Sequence, residues 1–117
     1  MYTRHKLGQY GEEVAKRYIQ LKGYKIIQSN FSCRQGEIDI IAYDDKEMVF
    51  IEVKTRSNLF YGYPVDAVNL TKQTHMYRVA KYYLHLKKLE KCFIRFDVIE
   101  VYIERGRARV NHIKQII

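Results

Sequence analysis

At 117 residues the chain is long enough for one hydrophobic core and too short for two, so a single domain spanning 1–117 is expected. Hydrophobic residues make up 47% of it and the formal net charge is +8, which excludes a disordered polar tail and points to a folded domain whose basic exterior suits a polyanion. No run approaches the ~20 apolar residues of a membrane span and Met1 to Lys6 has no signal-peptide core, so a soluble, cytoplasmic protein without membrane contact is expected.

Cys33 and Cys92 form no CxxC pair, and His5, His75, His85 and His112 show no HxxxH spacing, which argues against a disulfide framework and a zinc site. From Leu7 to Lys22, Gly11, Val14, Ala15, Tyr18, Ile19 and Leu21 recur at helical spacing and Gly23 supplies a C-terminal stop. Two runs rich in β-branched residues follow, Tyr24 to Ile27 and Glu37 to Ala42. Ser29-Asn30 and the basic loop Ser32 to Gly36, which contains Arg34, separate them. A polar turn at Tyr43 to Glu47 leads into a strand from Met48 to Arg56 with Val49, Ile51 and Val53 on its core face. Ser57 to Asn69, with Pro64, Tyr61 and Tyr63, reads as a surface loop of the kind that frames substrates. A second helix from Leu70 to about Lys88 turns Met76, Val79, Ala80, Tyr83, Leu84 and Leu86 inward. It turns His75, Arg78, Lys81, His85 and Lys88 outward. Phe93 to Glu104 and Arg107 to His112, joined at Arg105-Gly106, close the chain as a hairpin.

The chemistry lies in Asp39 followed, after twelve residues, by Glu52-Val53-Lys54. Residues two apart on a strand share a face, so Glu52 and Lys54 project together. A turn centred on Asp45-Lys46 pairs positions summing to 91, which sets Asp39 opposite Glu52 and Glu37 opposite Lys54. Two carboxylates on neighbouring strands repel unless a cation sits between them. Mg2+, with Mn2+ as its substitute, suits Asp39, Glu52 and a backbone carbonyl such as that of Val53. Lys54 beside such an ion would orient water or offset charge on a phosphoryl group. A solvated strand face with alternating Glu and Lys is the competing reading. Arg34, Thr55, Arg56, Lys72, Arg78, Lys81 and Lys88 are placed to meet a phosphate backbone, although a charged helix face is also common as a merely solvated one.

Gly36 to Ala42 together with Val49 to Arg56 closely resembles the hallmark of the YraN-like family, itself similar to archaeal Holliday junction resolvases in the PD-(D/E)XK nuclease superfamily. Gly8, Gly11-Glu12, Ala15, Gly23-Tyr24, Ala67-Val68, Lys72-Gln73 and Arg95 to Val98 extend the likeness over nearly the whole chain. The resemblance implies an α/β, restriction-endonuclease-like fold, a central mixed sheet flanked by helices. It implies a Mg2+-dependent DNA endonuclease, active on branched or structured DNA and working as a homodimer. Asp39 and Glu52 would be metal ligands, Lys54 the catalytic lysine, Glu12 a further metal or water ligand, and Gln73 a polar residue reaching the site. The competing reading is a nucleic-acid-binding module of the same fold, inactive alone or active only with a partner. Glu12 would otherwise be an N-terminal helix acid, Gln73 a helix-surface amide, and Tyr61 and Tyr63 candidate stacking contacts. Asp97 reads as a member of a structural ion pair.

Overall fold

A computed structural model of the protein describes residues 3–57 and 69–117. Helix α1 runs Arg4–Leu21. It starts a turn before Leu7 because the Thr3 side chain accepts from the Lys6 backbone N–H at 3.1 Å, an N-cap. It stops where Gly23 takes up φ +93°, a left-handed conformation that glycine adopts without steric cost.

Strand β1 spans Lys25–Cys33, β2 Gly36–Asp44 and β3 Glu47–Ser57. β1 continues through Ser29-Asn30, where the sequence suggested a break. It is an edge strand with one ladder partner, so polar side chains can point to solvent, and a bulge between Ile26 and Gln28 absorbs the irregularity. Helix α2 is Leu70–Leu86, capped by the Asn69 side chain accepting from the Lys72 N–H at 2.8 Å. β4, Ile94–Glu104, and β5, Arg107–Ile113, form the closing hairpin. Arg105 and Gly106 both have positive φ there, as the tightest two-residue hairpin turn requires.

The five strands lie in chain order, antiparallel except for the parallel β3–β4 pair that α2 connects. The fold is therefore α/β, a mixed sheet with a helix on each side. Ala15 and Ile19 of α1 cluster with Ile40, Ala42, Val49, Ile51, Ile99 and Val101 on one face. Met76, Val79 and Tyr83 of α2 cluster with Ile41, Met48, Phe50 and Phe96 on the other. Met48 to Ile51 is thus fully buried on both sides, where the sequence pattern suggested one core face, as befits a central strand covered by two helices. No helix among the described residues is long and apolar enough to cross a membrane.

One buried polar cluster lies on the α1 face beside the N-terminal half of β4. Asp97, fully buried, accepts from Arg95 Nε at 2.9 Å and Arg95 Nη2 at 3.0 Å. It also meets His112 Nε2 at 2.7 Å and accepts from the Gln115 backbone N–H at 3.1 Å. Arg95 further donates to the Tyr24 hydroxyl, Asp44 and Glu47. Asp97 is therefore an ion-pair member tying the chain end to the sheet.

Candidate active site

The expected register, positions summing to 91, holds from Asp44↔Glu47 to Ile40↔Ile51. The ladder stops one step before Asp39 and Glu52. There the Asp39 side chain replaces a main-chain acceptor, taking the Val53 N–H on Oδ2 at 2.8 Å. Glu37, expected opposite Lys54, pairs instead with Ser32 of β1 and takes a hydrogen bond from its hydroxyl. Alternation along β2 is interrupted at the same place, since Ile38 and Ile40 pack in clusters on opposite sides of the sheet. The β2 backbone leaves β3, and a cleft opens at that end.

The cleft has a volume of about 230 Å³ and is lined by Arg4, Leu7, Gly8 and Glu12 of α1, Asp39 of β2, and Glu52, Val53, Thr55 and Ser57 of β3. α1 approaches closely because Gly11 has no side chain: a Cβ there would lie 1.9 Å from Thr55 Oγ1. That contact sets Glu12, the next residue, over the gap between the strands. Its Oε1 is buried without a hydrogen-bond partner, while Asn30 hydrogen-bonds the carboxyl group.

The carboxyl groups are held away from their ordinary ionisation. Burial, then the charge of Asp39, raises Glu12. Burial raises Asp39 against the pull of the Val53 amide, and Glu37 raises it further. Burial, then Asp39, pushes Glu52 up to about 7. Asp39 and Glu52 lie close enough for each to act on the other's ionisation, so the two carboxyl groups titrate as a pair. Positive charge reaches the cleft from both sides: Arg4 of α1 lines it, Lys72 at the start of α2 places Nζ 3.3 Å from Glu52 Oε1, and Lys54 is near enough to act on Glu52 as well.

A hard divalent cation fits this donor set on two grounds. The acidic groups destabilise one another as anions, and one buried Glu12 oxygen has no partner. Among the described residues no group of three or more His, Cys, Asp or Glu side chains stands ready to hold a metal ion, so the donors stop short of a preformed cage. Mg2+ tolerates such a set, because it keeps several waters and needs only one or two carboxylates.

Among the expected site residues, Glu12, Asp39, Glu52, Val53 and Thr55 come together at the cleft, with Lys54 and Lys72 beside Glu52. Gln73 sits half-buried in the first turn of α2 and is not a lining residue. Arg34 is exposed in the β1–β2 turn. Arg78 and Lys81 are exposed on the outer side of α2. Lys88 is exposed beyond the helix end, about 24 Å from Lys72 at helical rise. Arg56, expected at the surface as a phosphate contact, is buried and turned inward, with Nη2 3.5 Å from Glu100 Oε2. Its charge is spent inside the fold. Tyr61 and Tyr63 lie outside the described residues. Sequence reasoning missed Arg4 and Asn30. Thr3 was the available signal for Arg4, because a cap at that position puts Arg4 on the helix.

The model of "Uncharacterised protein family UPF0102" matches residues 11–101. A UPF0102 protein of Caldicellulosiruptor saccharolyticus is 47% identical over 101 residues, covering 86% of each chain. One from Clostridium perfringens is 44% identical over 110 residues, 92% of this chain and 90% of its own. One from Clostridioides difficile is 46% identical over 106 residues and 91% of each. The solved structure of Pyrococcus furiosus SfsA in complex with Ca2+ aligns at 16% identity with a TM-score of 0.42, over 92% of this chain and 62% of that one. With matches of this extent in sequence, the chain belongs to the UPF0102 family, the YraN-like family whose hallmark its β2 and β3 strands carry.

Proposed function

We propose that the protein is a metal-dependent nuclease that hydrolyses phosphodiester bonds in DNA. The observation that carries this reading is the meeting of Glu12, Asp39 and Glu52 at one cleft, with a Glu12 oxygen left unpartnered and two lysines alongside. Asp39, Glu52 and the Val53 carbonyl would hold a Mg2+ or Mn2+ ion. Such an ion polarises a phosphoryl oxygen and makes water a better nucleophile near neutral pH.

The chain's own groups supply the rest. The Val53 amide fixes one Asp39 oxygen, so that carboxylate needs no reorganisation when substrate arrives. Glu12 lines the cleft and its Oε1 is an acceptor without a partner, able to orient a water through its proton. Lys54, two residues from Glu52 on the same strand face, offsets negative charge as it builds on the non-bridging oxygens. Lys72 can exchange Glu52 for a substrate phosphate, since its side chain is about one-third exposed. Branched or structured DNA, and a symmetric dimer acting on it, follow from the likeness to resolvases.

One observation favours a second reading, a nucleic-acid-binding module inactive alone: Lys72 already supplies Glu52 with a positive partner. The test is incubation of the purified protein with Mg2+ or Mn2+ and single-stranded, duplex and branched DNA. Cleavage that disappears in Asp39→Ala and Lys54→Ala supports the nuclease. Intact substrates with both metals, together with salt-dependent binding that Asp39→Ala leaves unchanged, would favour the binding module.

A further inference from the structure

Beyond the cleft, the sheet carries a second feature on the face that bears Glu52 and Lys54. In the parallel β3–β4 ladder Lys54 pairs with Glu100 and Arg56 with Tyr102. In the β4–β5 ladder Glu100 pairs with Asn111, Tyr102 with Arg109 and Glu104 with Arg107. Paired residues share a face, so two rows cross the sheet from β3 to β5, one from Lys54 to Asn111 and one from Arg56 to Arg109.

The inner part of these rows is neutralised within the fold. The buried Glu100 carboxylate accepts from Arg56 and, at 2.9 Å, from Asn111 Nδ2. The outer part is not. Arg105, Arg107 and Arg109 are exposed, with Glu104 as the acidic residue among them. The Arg109 guanidinium lies over the half-buried Tyr102 ring, 4.4 Å from its centroid. Contact with the ring restrains the guanidinium of this exposed residue, and a planar fork of donors matches phosphate geometry. At ~4.8 Å between strands and ~3.3 Å per residue, Arg109 stands roughly 12 Å from Lys54. That is the axial span of about three or four nucleotides at ~3.4 Å each.

We propose that Tyr102, Arg107 and Arg109 form a second contact for the sugar-phosphate backbone, holding the DNA strand as it leaves the cleft. This inference rests on the reading that the substrate is DNA, and it holds whether or not the chain cleaves it. Arginines on an edge strand also discourage strand pairing between molecules. That role alone would not require them to share a face with Lys54 or to stack on a tyrosine.

The experiment is fluorescence anisotropy with a labelled DNA duplex, titrated with salt, on the full chain and on Arg107→Gln/Arg109→Gln. The double variant is expected to bind more weakly and to lower the slope of log affinity against log salt by about two. Its melting temperature and Mn2+ affinity should equal those of the unsubstituted protein. Should the double variant aggregate, each single variant serves, with an expected loss of about one in slope. Wild-type binding with slopes unchanged in these variants would overturn the second contact and leave the nuclease reading untouched. Binding through this contact without cleavage would remove the nuclease reading alone, and no wild-type affinity for DNA would overturn both.

Discussion

Lys72 Nζ lies 3.3 Å from Glu52 Oε1, an ion pair between the first turn of α2 and the central strand. It joins β3 to α2, and Asn69 fixes its geometry by capping the helix at Lys72 N–H. Glu52 is 6% exposed, so its partner matters more than a surface partner would. Any cation entering the cleft competes with Lys72 for the same oxygen.

Glu52→Gln should stabilise the cation-free protein at neutral pH. Burial and then Asp39 raise the folded-state pKa of Glu52 to about 7 from an ordinary 4.5. A carboxyl group raised in the folded state contributes stability that is whole below pH ~4.5 and is lost as pH climbs through ~7. The glutamine variant is neutral throughout and escapes that loss. In EDTA the gain expected at pH 8 is on the order of 1–3 kcal/mol, vanishing near pH 4. Urea unfolding of both proteins across this range measures it, and a variant weaker at every pH would make Glu52 a purely structural partner.

The sequence carried the centre of this site because strand periodicity and a two-residue turn are local facts. A turn at Asp45-Lys46 was enough to predict the register that runs to Ile40↔Ile51. Where the strands part, local rules stop. The Asp39 carboxylate capturing the Val53 amide and Glu37 pairing across to Ser32 depend on β1 and on the divergence of β2. Arg56 illustrates the same limit: its position just after Glu52-Val53-Lys54 suggested a phosphate contact, and its inward turn depends on Glu100, 44 residues away. Asp97 was legible as an ion-pair member, although its partners His112 and Gln115 come from the chain end.

Gly11→Ala should damage the site more than the fold. In a free helix the change is worth up to about 1 kcal/mol in favour of alanine. Here the new methyl would stand 1.9 Å from Thr55 Oγ1 and 2.9 Å from Thr55 Cβ, so α1 must retreat from β3. Overpacking of this kind costs ~1–3 kcal/mol, and the retreat carries Glu12 away from Asp39. Thr55→Ala in the same chain removes the hydroxyl clash and should restore part of the stability. Thermal melts of the single and double variants test this. A fully stable Gly11→Ala protein would mean that α1 is not held at contact distance.

Asp97→Ala should destabilise without touching the cleft. Burial alone would raise this carboxyl, but hydrogen bonds from His112, Arg95 and the Gln115 amide outweigh it and hold the group below its ordinary range. Its contribution is therefore present above pH ~4 and lost as pH falls below that through the depressed value. Removing it leaves buried Arg95 short of its main partner, a loss of about 3–5 kcal/mol. Amide exchange at Gln115 should quicken in step, since its N–H loses its acceptor. A small change in stability with normal protection at Gln115 would contradict this account.

Lys72→Ala should tighten divalent-metal binding even as it weakens the metal-free protein. With the ammonium gone, Glu52 faces Asp39 with Lys54 as the nearby cation, so the unliganded fold loses stability. Metal entry then no longer has to break the ion pair. The Lys72 side chain is 34% exposed, which limits the pair to roughly 0.4–1 kcal/mol, and Mn2+ affinity should rise about two- to fivefold. Because a ligand stabilises by RT ln(1 + [L]/Kd), the rise in melting temperature on adding Mn2+ should be larger in the variant than in the unsubstituted protein. Titration calorimetry gives the affinity directly. Weaker Mn2+ binding in Lys72→Ala would mean that the lysine organises Glu52 for the ion and does not stand in its place.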